Sequence, residues 1–231
     1  MIIHPDRRGA GGPDPSLLLD VRDLRVFYNT VGGISRAVDG VDLQIKRGEI
    51  VGLAGESGCG KTTLASALLR LTRPPGYIDG GSVRLYPRGG APIDLLGVED
   101  VELRKVRWQN LSYIPQGSMN SLNPVMRVAD QFADAMAQHG DVTQRNAKQR
   151  VPQLLNQVGL DDHVARMYPH ELSGGMKQRV IIAMAISLHP DLVIADEPTT
   201  ALDVNVQRVI IETLAKLRDE LGMSLIVVTH D

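Results

Sequence analysis

A glycine-rich loop over residues 55–62 has the residue types and the spacing of a phosphate-binding loop. Its glycines let successive backbone N–H groups turn toward phosphate oxygens, Lys61 can reach terminal phosphates, and the Thr62 hydroxyl can ligate Mg²⁺. The alternative is a glycine-rich turn with an exposed lysine, which is disfavoured because an apolar run precedes the loop and a helical pattern follows it. The residues expected to contact the nucleotide here are Gly55, Glu56, Ser57, Gly58, Cys59, Gly60, Lys61, Thr62 and Thr63.

Two adjacent carboxylates follow the apolar run over residues 192–195. A strand that ends in such a pair can place one acid beside a metal ion and the second near an attacking water. We expect Asp196 to be the carboxylate on the metal side and Glu197 to orient or deprotonate the water. An exposed acidic strand end before Pro198 is the alternative, and the phosphate loop in the same chain makes it the weaker one.

Strand patterns surround these motifs and predict an α/β fold. Alternation of apolar and polar residues over 17–28 and 41–45 is typical of antiparallel strands. Nearly continuous apolar runs are instead typical of parallel strands that are covered on both faces. These runs lie at residues 49–54, 111–114, 192–195 and 224–229, and a further strand is expected at 83–86.

Helical periodicity fills most of the remaining chain. The helix after the phosphate loop is expected to extend from about residue 64 to residue 71, because Pro74 and Pro75 forbid its continuation. Residues from about 128 to 188 are expected to form an inserted helical subdomain, with Val128, Phe132, Ala135 and Met136 on one face and Pro152 as a complication in its second helix. The last helix is expected to present Val206, Val209, Ile210, Thr213, Leu214, Leu217 and Leu221 on one face, between an Asp203 N-cap and a Gly222 C-cap.

Composition excludes several classes of protein. Of the 231 residues, 43% are hydrophobic and 23% are charged, which is typical of globular proteins and unlike disordered or fibrous ones. The formal net charge of −2 gives no bulk attraction to nucleic acid, so no nucleic-acid partner is expected. The longest apolar run, residues 180–188, is too short to span a bilayer. A single cysteine favours a reducing cytoplasm, and residues 1–16 are expected to be a flexible lead-in because they lack the apolar core of a secretory signal.

The segment Leu172–Arg179, LSGGMKQR, resembles the signature motif of ABC ATPases. Ser173 is a good helix N-cap, and the two glycines after it expose the first amide groups of the helix, which creates a second anion-binding surface. An ordinary capped helix is the alternative. The resemblance implies that the phosphate loop of one chain and the signature segment of another enclose ATP in a head-to-tail dimer. The signature residues that would face the nucleotide are Ser173, Gly174, Gly175 and Gln178.

The resemblance covers the chain from about residue 17 to its end. It implies an α/β fold with a RecA-like P-loop NTPase core and a mostly parallel sheet, an N-terminal antiparallel β-subdomain and an inserted α-helical subdomain at about 128–188. Residues 17–231 would form one ABC nucleotide-binding domain. Because family members continue past the histidine that corresponds to His230, we expect this domain to be truncated at its C-terminus, either as a fragment or as a shortened protein.

Further positions carry over from the family. Tyr28 resembles the aromatic residue that stacks on adenine; a tyrosine of the core or of a strand edge is the alternative, and Phe27 is the second choice. Gln116 resembles the glutamine that contacts Mg²⁺ and water. Asp203 resembles a residue of the loop that faces the partner's site, although it is equally explained as a helix cap. His230 resembles the histidine that senses the γ-phosphate. The expected catalytic residues are thus Lys61, Gln116, Glu197 and His230, and the expected Mg²⁺ ligands are Thr62, Gln116 and Asp196.

Cys59 lies inside the phosphate loop, beside Lys61 and the start of a helix. A cation and a helix N-terminus both lower the pKa of a thiol. We therefore expect alkylation of Cys59 to block ATP binding and ATP to protect the thiol. The alternative is a small residue that the loop tolerates, and no catalytic role is assigned to it.

Residues 116–124 and 168–172 resemble segments of the ATPase subunits of oligopeptide and dipeptide importers. The resemblance implies a peripheral subunit at the cytoplasmic face of the membrane that hydrolyses ATP to power peptide uptake. Its partners would be a second ABC ATPase chain, identical or related, two membrane permease subunits and an extracytoplasmic solute-binding protein. Residues 118–126 would line a groove for a short permease helix, and a simple connector between subdomains is the alternative.

Other functions stay open at this point. Similar motifs occur in importers of oligosaccharides or metal chelates. A soluble ABC ATPase that is not coupled to transport is disfavoured because such proteins usually carry tandem ATPase domains or long coiled-coil insertions. A binding module without hydrolysis is disfavoured by the presence of both Glu197 and His230.

Overall fold

The computed structural model describes residues 14–140 and 142–230, so residues 1–13 of the expected lead-in lie outside it. The strands are Leu17–Thr30 (β1), Gly33–Lys46 (β2), Ile50–Ala54 (β3), Gly76–Leu85 (β4), Ile93–Asp94 (β5), Leu111–Ile114 (β6), Leu192–Asp196 (β7) and Ser224–Thr229 (β8). The helices are Lys61–Leu68 (α1), Asp100–Gln109 (α2), Val128–His139 (α3), Gln144–Gln157 (α4), Gly174–Ile186 (α5) and Val204–Leu221 (α6). Short 3₁₀ turns occur at Ser118–Asn120, Asp162–Arg166 and Pro169–Glu171.

The strands form two sheets. One is antiparallel, with the strand order β2-β1-β4-β5, and the other is parallel, with the order β3-β8-β7-β6. The predicted α/β fold, with a parallel core sheet and an N-terminal antiparallel sheet, is confirmed. The strand expected at residues 83–86 is the end of the longer β4 and belongs to the antiparallel sheet.

Helix α1, which follows the phosphate loop, lies between the two sheets and contacts strands of both. It was expected to reach residue 71 but ends at Leu68. Arg70 has a φ of 52°, and the Leu71 N–H donates back to the Ser66 carbonyl oxygen at 2.8 Å, which is a common way to end a helix. The residues that α1 buries between the sheets are Leu64, Ala65, Ala67 and Leu68.

The parallel sheet has a different core on each face. Within β7, Leu192 and Ile194 pack with the antiparallel sheet and α1, whereas Val193 and Ala195 pack with the helices of the opposite face. Strand β3 does not fit the expectation of a buried strand, since among the described residues it pairs only with β8 and forms a sheet edge. Ile50 on this edge strand is 41% exposed.

Helices α3, α4 and α5 connect β6 to β7 and build the second core around side chains such as Phe132 and Val151. The helical pattern predicted for residues 128–188 is confirmed. Helix α4 continues through Pro152, which removes one backbone donor without ending the helix. On α3 the buried face differs slightly from the expected one, because Ala135 is only half-buried and Gln131 is buried.

Helix α6 has both predicted caps. The Asp203 side chain accepts a hydrogen bond from the Val206 N–H at 3.0 Å, and Gly222 ends the helix with a φ of 63°. Val209 was expected on the buried face but is 45% exposed, whereas Ile210 is fully buried. Within residues 14–140 and 142–230, no helix has both the length and the apolar character needed to cross a membrane.

Candidate functional site

The phosphate loop connects the C-terminal end of β3 to the first turn of α1, as predicted. Two of its glycines, Gly58 and Gly60, have φ angles of 80° and 95°, which residues with a Cβ rarely adopt. A Cβ on Gly60 would also lie 2.2 Å from the carbonyl oxygen of Ala37. The loop therefore requires glycine at residue 60, and its shape presents the N-terminal end of α1 to an anion.

The Lys61 ammonium lies against the loop. Its Nζ donates to the carbonyl oxygens of Gly55 at 2.6 Å and Glu56 at 2.8 Å, and the sulfur of Cys59 is 3.7 Å away. A positive charge is thereby held at the loop, where phosphate oxygens would need it. The loop residues exposed to solvent are Glu56, Ser57, Gly58, Cys59 and Thr62.

The end of β7 meets the start of α1 through Asp196. Its carboxylate is fully buried, and Oδ1 accepts a hydrogen bond from the Thr62 hydroxyl at 3.2 Å. Burial raises the pKa of the Asp196 carboxyl above its ordinary value, and the hydrogen bonds from Tyr113 and Thr62 oppose that rise. Thr62 and Asp196, predicted to act on the same metal ion, are thus in contact.

Tyr113 of β6 completes the surroundings of this carboxylate. Its hydroxyl donates to Asp196 Oδ2 at 3.0 Å, and the nearby Ser66 side chain of α1 favours the ionised phenol, lowering the pKa of Tyr113 by a smaller amount than the effects that raise it. Burial, followed by the negative charge of Asp196, raises the pKa of Tyr113, so the phenol stays protonated and acts as a donor. Both oxygens of Asp196 therefore have a hydrogen-bond donor.

Thr62, Gln116 and Asp196 together offer oxygen donors, the ligand type that Mg²⁺ prefers. Gln116 donates through Nε2 to Glu197 at 2.8 Å, which leaves Oε1 as its remaining donor atom for a cation. In the described part of the chain, no group of three or more His, Cys, Asp or Glu side chains is placed to hold a metal. Mg²⁺ is usually held by one or two carboxylates together with substrate phosphates. The oxygen donors of Thr62, Gln116 and Asp196 are therefore of the type that can hold Mg²⁺ together with substrate phosphates.

The Glu197 carboxylate has three polar neighbours. Oε2 accepts hydrogen bonds from Gln116 at 2.8 Å and from the Thr200 hydroxyl at 2.9 Å, and Oε1 lies 3.3 Å from Nδ1 of His230. The hydrogen bond from Thr200 is the largest of the effects that hold the pKa of Glu197 below its ordinary value; burial opposes it, and the interaction with His230 lowers the pKa further. Glu197 is therefore ionised at neutral pH and oriented by groups from three separate segments of the chain.

The backbone at Glu197 also departs from ordinary geometry. Its φ is 48°, which is uncommon for a residue with a side chain and is often found at functional sites. The Glu197 N–H donates to the Val228 carbonyl oxygen of the neighbouring strand at 3.0 Å, which helps to hold this conformation. Beside the carboxylate lies a cavity of about 140 Å³, lined by Thr199, Thr200, Ala201, Gln207, Thr229 and His230.

Successive side chains of β1 point to opposite faces of the sheet, so the two aromatic candidates for adenine stacking lie on different faces. Phe27 is 9% exposed and packs edge-to-face with Tyr77, at a ring-centroid distance of 6.2 Å. Tyr28, on the opposite face, has its hydroxyl 3.5 Å from that of Thr63. Its ring covers Gly76, where an added Cβ would lie 2.6 Å from the ring. The structure thus brings Tyr28, and not Phe27, to the start of α1.

Ser173 caps α5 as predicted, since its side chain accepts a hydrogen bond from the Met176 N–H at 3.3 Å. Gly174 and Gly175 form the first residues of the helix, and a Cβ on Gly175 would lie 2.8 Å from the Val206 side chain of α6. Helix α5 packs against β6, at the opposite edge of the parallel sheet from β3. At about 4.8 Å between strands, these edges are about 14 Å apart. The signature segment and the phosphate loop of one chain are therefore kept apart.

Gln178, predicted to face the nucleotide, is buried instead. It is 3% exposed, and its Oε1 accepts a hydrogen bond from the Ser118 hydroxyl at 3.3 Å. Its Nε2 has no hydrogen-bond partner among the described residues. Gln178 lies more than one helical turn beyond Ser173. Its side chain is on the side of α5 that faces the 118–126 segment, away from the exposed N-terminal end of the helix. The geometry does not support a contact between Gln178 and nucleotide.

Two residues of the site, Tyr113 and Thr200, were not predicted. Tyr113 places a hydroxyl in the short strand β6, and Thr200 follows Glu197 at a spacing that lets its side chain turn back onto the carboxylate. Both signals are visible in the sequence but are ambiguous, because neither shows which partner the hydroxyl meets. The structure shows that each hydroxyl supports one of the two predicted carboxylates.

The chain is similar to known proteins in sequence and in fold. Residues 38–200 match the profile of the family described as ABC transporter. A putative peptide import ATP-binding protein of Brucella ovis is 42% identical over 217 residues, covering 93% of this chain and 64% of that protein. The oligopeptide transport ATP-binding protein OppD of Bacillus subtilis is 40% identical, over 93% of this chain and 59% of its own. A dimeric ATP-binding cassette in a post-hydrolysis state with ADP and Pi is 30% identical, with a TM-score of 0.77 over 93% of this chain and 88% of that one.

The chain spans less than two thirds of the length of these two curated relatives. The matched range of residues 38–200 contains the phosphate loop, Gln116, the signature segment and the carboxylate pair. The similarity therefore includes most of the residues that the structure assembles around Asp196 and Glu197.

Proposed function

This chain belongs to the ABC transporter family, and on that premise we propose that it binds and hydrolyses ATP to power the import of oligopeptides or dipeptides. The observation that carries the proposal is the Glu197 carboxylate, which Gln116, Thr200 and His230 orient at the end of the strand that carries Asp196. The cargo is supported by the names of the relatives, which are peptide import and oligopeptide transport ATP-binding proteins.

Phosphate binding is assigned to the loop and to Lys61. The loop amides and the N-terminal end of α1 suit the phosphate oxygens, and Lys61 can exchange the carbonyl oxygens of Gly55 and Glu56 for the terminal phosphates. Thr62, Asp196 and Gln116 would hold Mg²⁺, which when bound would neutralise negative charge on the phosphates. Tyr28 would cover the adenine ring at the start of α1.

Water activation is assigned to Glu197. Because its pKa is held below the ordinary value, this carboxylate is a good hydrogen-bond acceptor and a weak base. It is therefore suited to orienting the water for in-line attack, with proton transfer following as the phosphoryl group leaves. Gln116 and His230 hold the carboxylate from two sides, so movement of either would misalign the water.

A dimer of two ATPase chains is the proposed active form. The signature segment lies at the opposite sheet edge from the phosphate loop, so Ser173, Gly174 and Gly175 can complete a nucleotide site only on another chain. The similarity to a dimeric ATP-binding cassette with ADP and Pi supports this arrangement. The second chain is either another copy or a related ATPase.

Permease subunits, together with a solute-binding protein, are the other proposed partners, and they would place this chain at the cytoplasmic face of a membrane. The segment 118–126 is suited to contact a permease because it is anchored on both sides. Ser118 bonds Gln178 of α5, and the buried Gln131 of α3 bonds the backbone of Asn123 and Met126. Movement of this segment would therefore be transmitted to α5, the helix that Ser173 caps.

The first test of the proposal is the mass of a Glu197→Gln variant with and without MgATP. Loss of the water-orienting carboxylate should slow hydrolysis and trap a closed dimer, so the apparent mass should double when ATP is added. Glu212→Gln is the matched control, since Glu212 is an exposed residue of α6. Adding Lys61→Ala to Glu197→Gln should abolish the dimer because phosphate binding is lost.

Undiminished ATP hydrolysis by Glu197→Gln would contradict the assignment of Glu197. Bound ATP without a dimer would contradict the two-chain site. The cargo is tested separately by uptake of labelled dipeptides and oligopeptides in cells that carry either the wild type or Glu197→Gln. Equal uptake by both would contradict a role in peptide import.

A further inference from the structure

Tyr113 lies where it can fix the geometry of the proposed Mg²⁺ site without touching the ion. In the parallel pairing of β6 and β7, Tyr113 is opposite Ile194, two residues before Asp196. Its side chain must therefore extend along the sheet by about 7 Å to reach the carboxylate. The long phenol spans this distance, and its hydroxyl donates to Asp196 Oδ2 at 3.0 Å.

The Tyr113 hydroxyl also links this carboxylate to the helix that carries Thr62. Ser66, one turn beyond Thr62 on α1, lies near the Tyr113 hydroxyl and interacts with it, and Thr62 itself donates to Asp196 Oδ1 at 3.2 Å. Ser66, Tyr113, Asp196 and Thr62 therefore form a closed ring of contacts that joins α1, β6 and β7. The ring fixes the separation between the threonine hydroxyl and the aspartate carboxylate.

The two oxygens of Asp196 have different roles in this ring. Oδ2 accepts the hydrogen bond from the Tyr113 hydroxyl, whereas Oδ1 faces a hydroxyl that can itself ligate a cation. A buried carboxylate needs such donors to stay charged and in one rotamer. The phenol leaves Oδ1 beside Thr62 and prevents the carboxylate from rotating away.

We propose that Tyr113 is a positioning residue that sets the Mg²⁺ affinity of the nucleotide site by orienting Asp196. The inference rests on the proposed function, because it requires that Thr62 and Asp196 hold Mg²⁺. Partners of metal-ligating groups commonly change metal affinity by about 10- to 100-fold when they are removed. Tyr113 is such a partner of Asp196, since its hydroxyl donates a hydrogen bond to that carboxylate.

The test is a Tyr113→Phe variant, which removes one oxygen and keeps the ring. Binding of a fluorescent ADP analogue is measured in EDTA and then over a series of Mg²⁺ concentrations. In EDTA the affinity should equal that of the wild type, because the loop and Lys61 are intact. The Mg²⁺ concentration at half-saturation should rise by about 10-fold. Tyr86→Phe, in the antiparallel-sheet region, is the matched control and should leave both values unchanged.

Two further variants separate positioning from a general structural effect. Ser66→Ala should raise the Mg²⁺ half-saturation in the same direction by a smaller factor, and it does not alter an aromatic ring in the core. In an Asp196→Asn background, Tyr113→Phe should cause no further loss of Mg²⁺ dependence, because the group that it positions is already changed.

An unchanged Mg²⁺ half-saturation in both Tyr113→Phe and Ser66→Ala would overturn the inference. An equal loss of affinity in EDTA and in Mg²⁺ would also overturn it, because it would show a damaged loop and not a misplaced carboxylate. If the wild type binds the analogue without any dependence on Mg²⁺, the proposed metal site itself fails and the role of Tyr113 fails with it.

Discussion

The Trp108 indole stacks on the His139 imidazole, with ring centroids 5.1 Å apart and an angle of 6° between the planes. The next residue, Gln109, donates to the His139 carbonyl oxygen at 2.7 Å. The preceding residue, Arg107, donates through two nitrogens to the Leu69 carbonyl oxygen at 2.9 and 2.6 Å. Residues 107–109 therefore connect the C-terminal end of α1 to the C-terminal end of α3. The phosphate-loop lysine, Lys61, is the first residue of α1.

Trp108 also has a φ of 76°, which is uncommon for a large side chain and persists only where several contacts hold it. The contacts of its two neighbours on α1 and α3 supply that constraint. The junction thus connects α1 of the nucleotide-binding core to α3, which packs against α4 and α5. It is also easy to observe, because Trp108 is the single tryptophan of the chain.

Acidification should disturb this stack. Burial lowers the pKa of His139 from its ordinary value of 6.5, against a hydrogen bond with the backbone of Arg104. The unfolded chain therefore takes up the proton first, and the stability that His139 contributes is lost as the pH falls below 6.5. Tryptophan fluorescence should also fall over this range, since a protonated imidazole quenches a stacked indole.

The measurement is a pH titration of tryptophan fluorescence, together with denaturant unfolding near neutral pH and in mild acid. His139→Phe keeps an aromatic partner without a titrating group, so its fluorescence should be flat over the same range. His163→Phe, at an exposed position, should behave as the wild type. Identical pH profiles for the wild type and His139→Phe would contradict this prediction.

Removal of the Thr200 hydroxyl should impair hydrolysis most strongly in acid. In Thr200→Val, Glu197 loses the hydrogen bond that contributes most to its lowered pKa, so the carboxylate protonates at a higher pH. The acid limb of the profile of kcat against pH should therefore move to higher pH. At neutral pH, kcat should fall by about tenfold, which corresponds to the ~1.4 kcal/mol of one hydrogen bond.

The assay is ATP turnover measured over the pH range in which Glu197 ionises. Thr213→Val is the matched control, because the Thr213 hydroxyl donates to a backbone carbonyl oxygen within α6, away from the site. An acid limb that does not move in Thr200→Val would show that another group controls the ionisation.

The buried Gln131 should keep the backbone of the 118–126 segment in a fixed conformation. Its amide makes three hydrogen bonds to backbone groups of that segment, to the N–H and the carbonyl oxygen of Asn123 and to the carbonyl oxygen of Met126. Gln131→Leu leaves these groups without partners, at a cost of about 1–3 kcal/mol in the free energy of unfolding. Amide hydrogen exchange at residues 121–126 should become faster.

Gln138→Leu makes the same chemical change on an exposed turn of α3, where the side chain donates to Asp134 at 3.0 Å. It should leave both the exchange rates and the free energy of unfolding near the wild-type values. Equal protection of residues 121–126 in the two variants would show that Gln131 does not anchor the segment. In a reconstituted transporter, Gln131→Leu should reduce transport more than ATP binding.

The thiol of Cys59 should report nucleotide binding. It is exposed and lies 3.7 Å from the Lys61 ammonium, so a bulky group on the sulfur would obstruct the loop. Alkylation with N-ethylmaleimide should block ATP binding, and MgATP should slow the labelling by about tenfold or more, because bound phosphates cover the loop. Mass spectrometry follows the single modification.

Cys59→Ala is the control, since it should bind ATP without being labelled. Labelling of the wild type at the same rate with and without MgATP would contradict the placement of the phosphates at this loop. Retained ATP binding by the alkylated protein would also contradict the placement of the phosphates at this loop.

Features whose partners are close in the sequence were predicted correctly. The caps at Ser173 and Asp203 bond backbone groups three residues away, and Gly60 takes the left-handed conformation that the phosphate-loop pattern requires. The strand and helix types followed from apolar periodicity for the same reason, because a repeat of two or of 3.6 residues is a local property. The end of α1 was less predictable, since a turn at Arg70 ends it before Pro74 is reached.

The sequence by itself determined which residues are suited to nucleotide chemistry and which secondary structures carry them. Only the tertiary structure decided which of them meet. Thr62 and Asp196 are separated by 134 residues and Tyr113 and Asp196 by 83, so their contacts depend on the order of strands in the sheet. The same assembly turned Gln178 inward and left β3 at a sheet edge. A local pattern predicts which face of a helix or strand is apolar. The residues that pack against that face come from distant parts of the chain, and these distant residues determine which side chains are buried and which hydrogen bonds form.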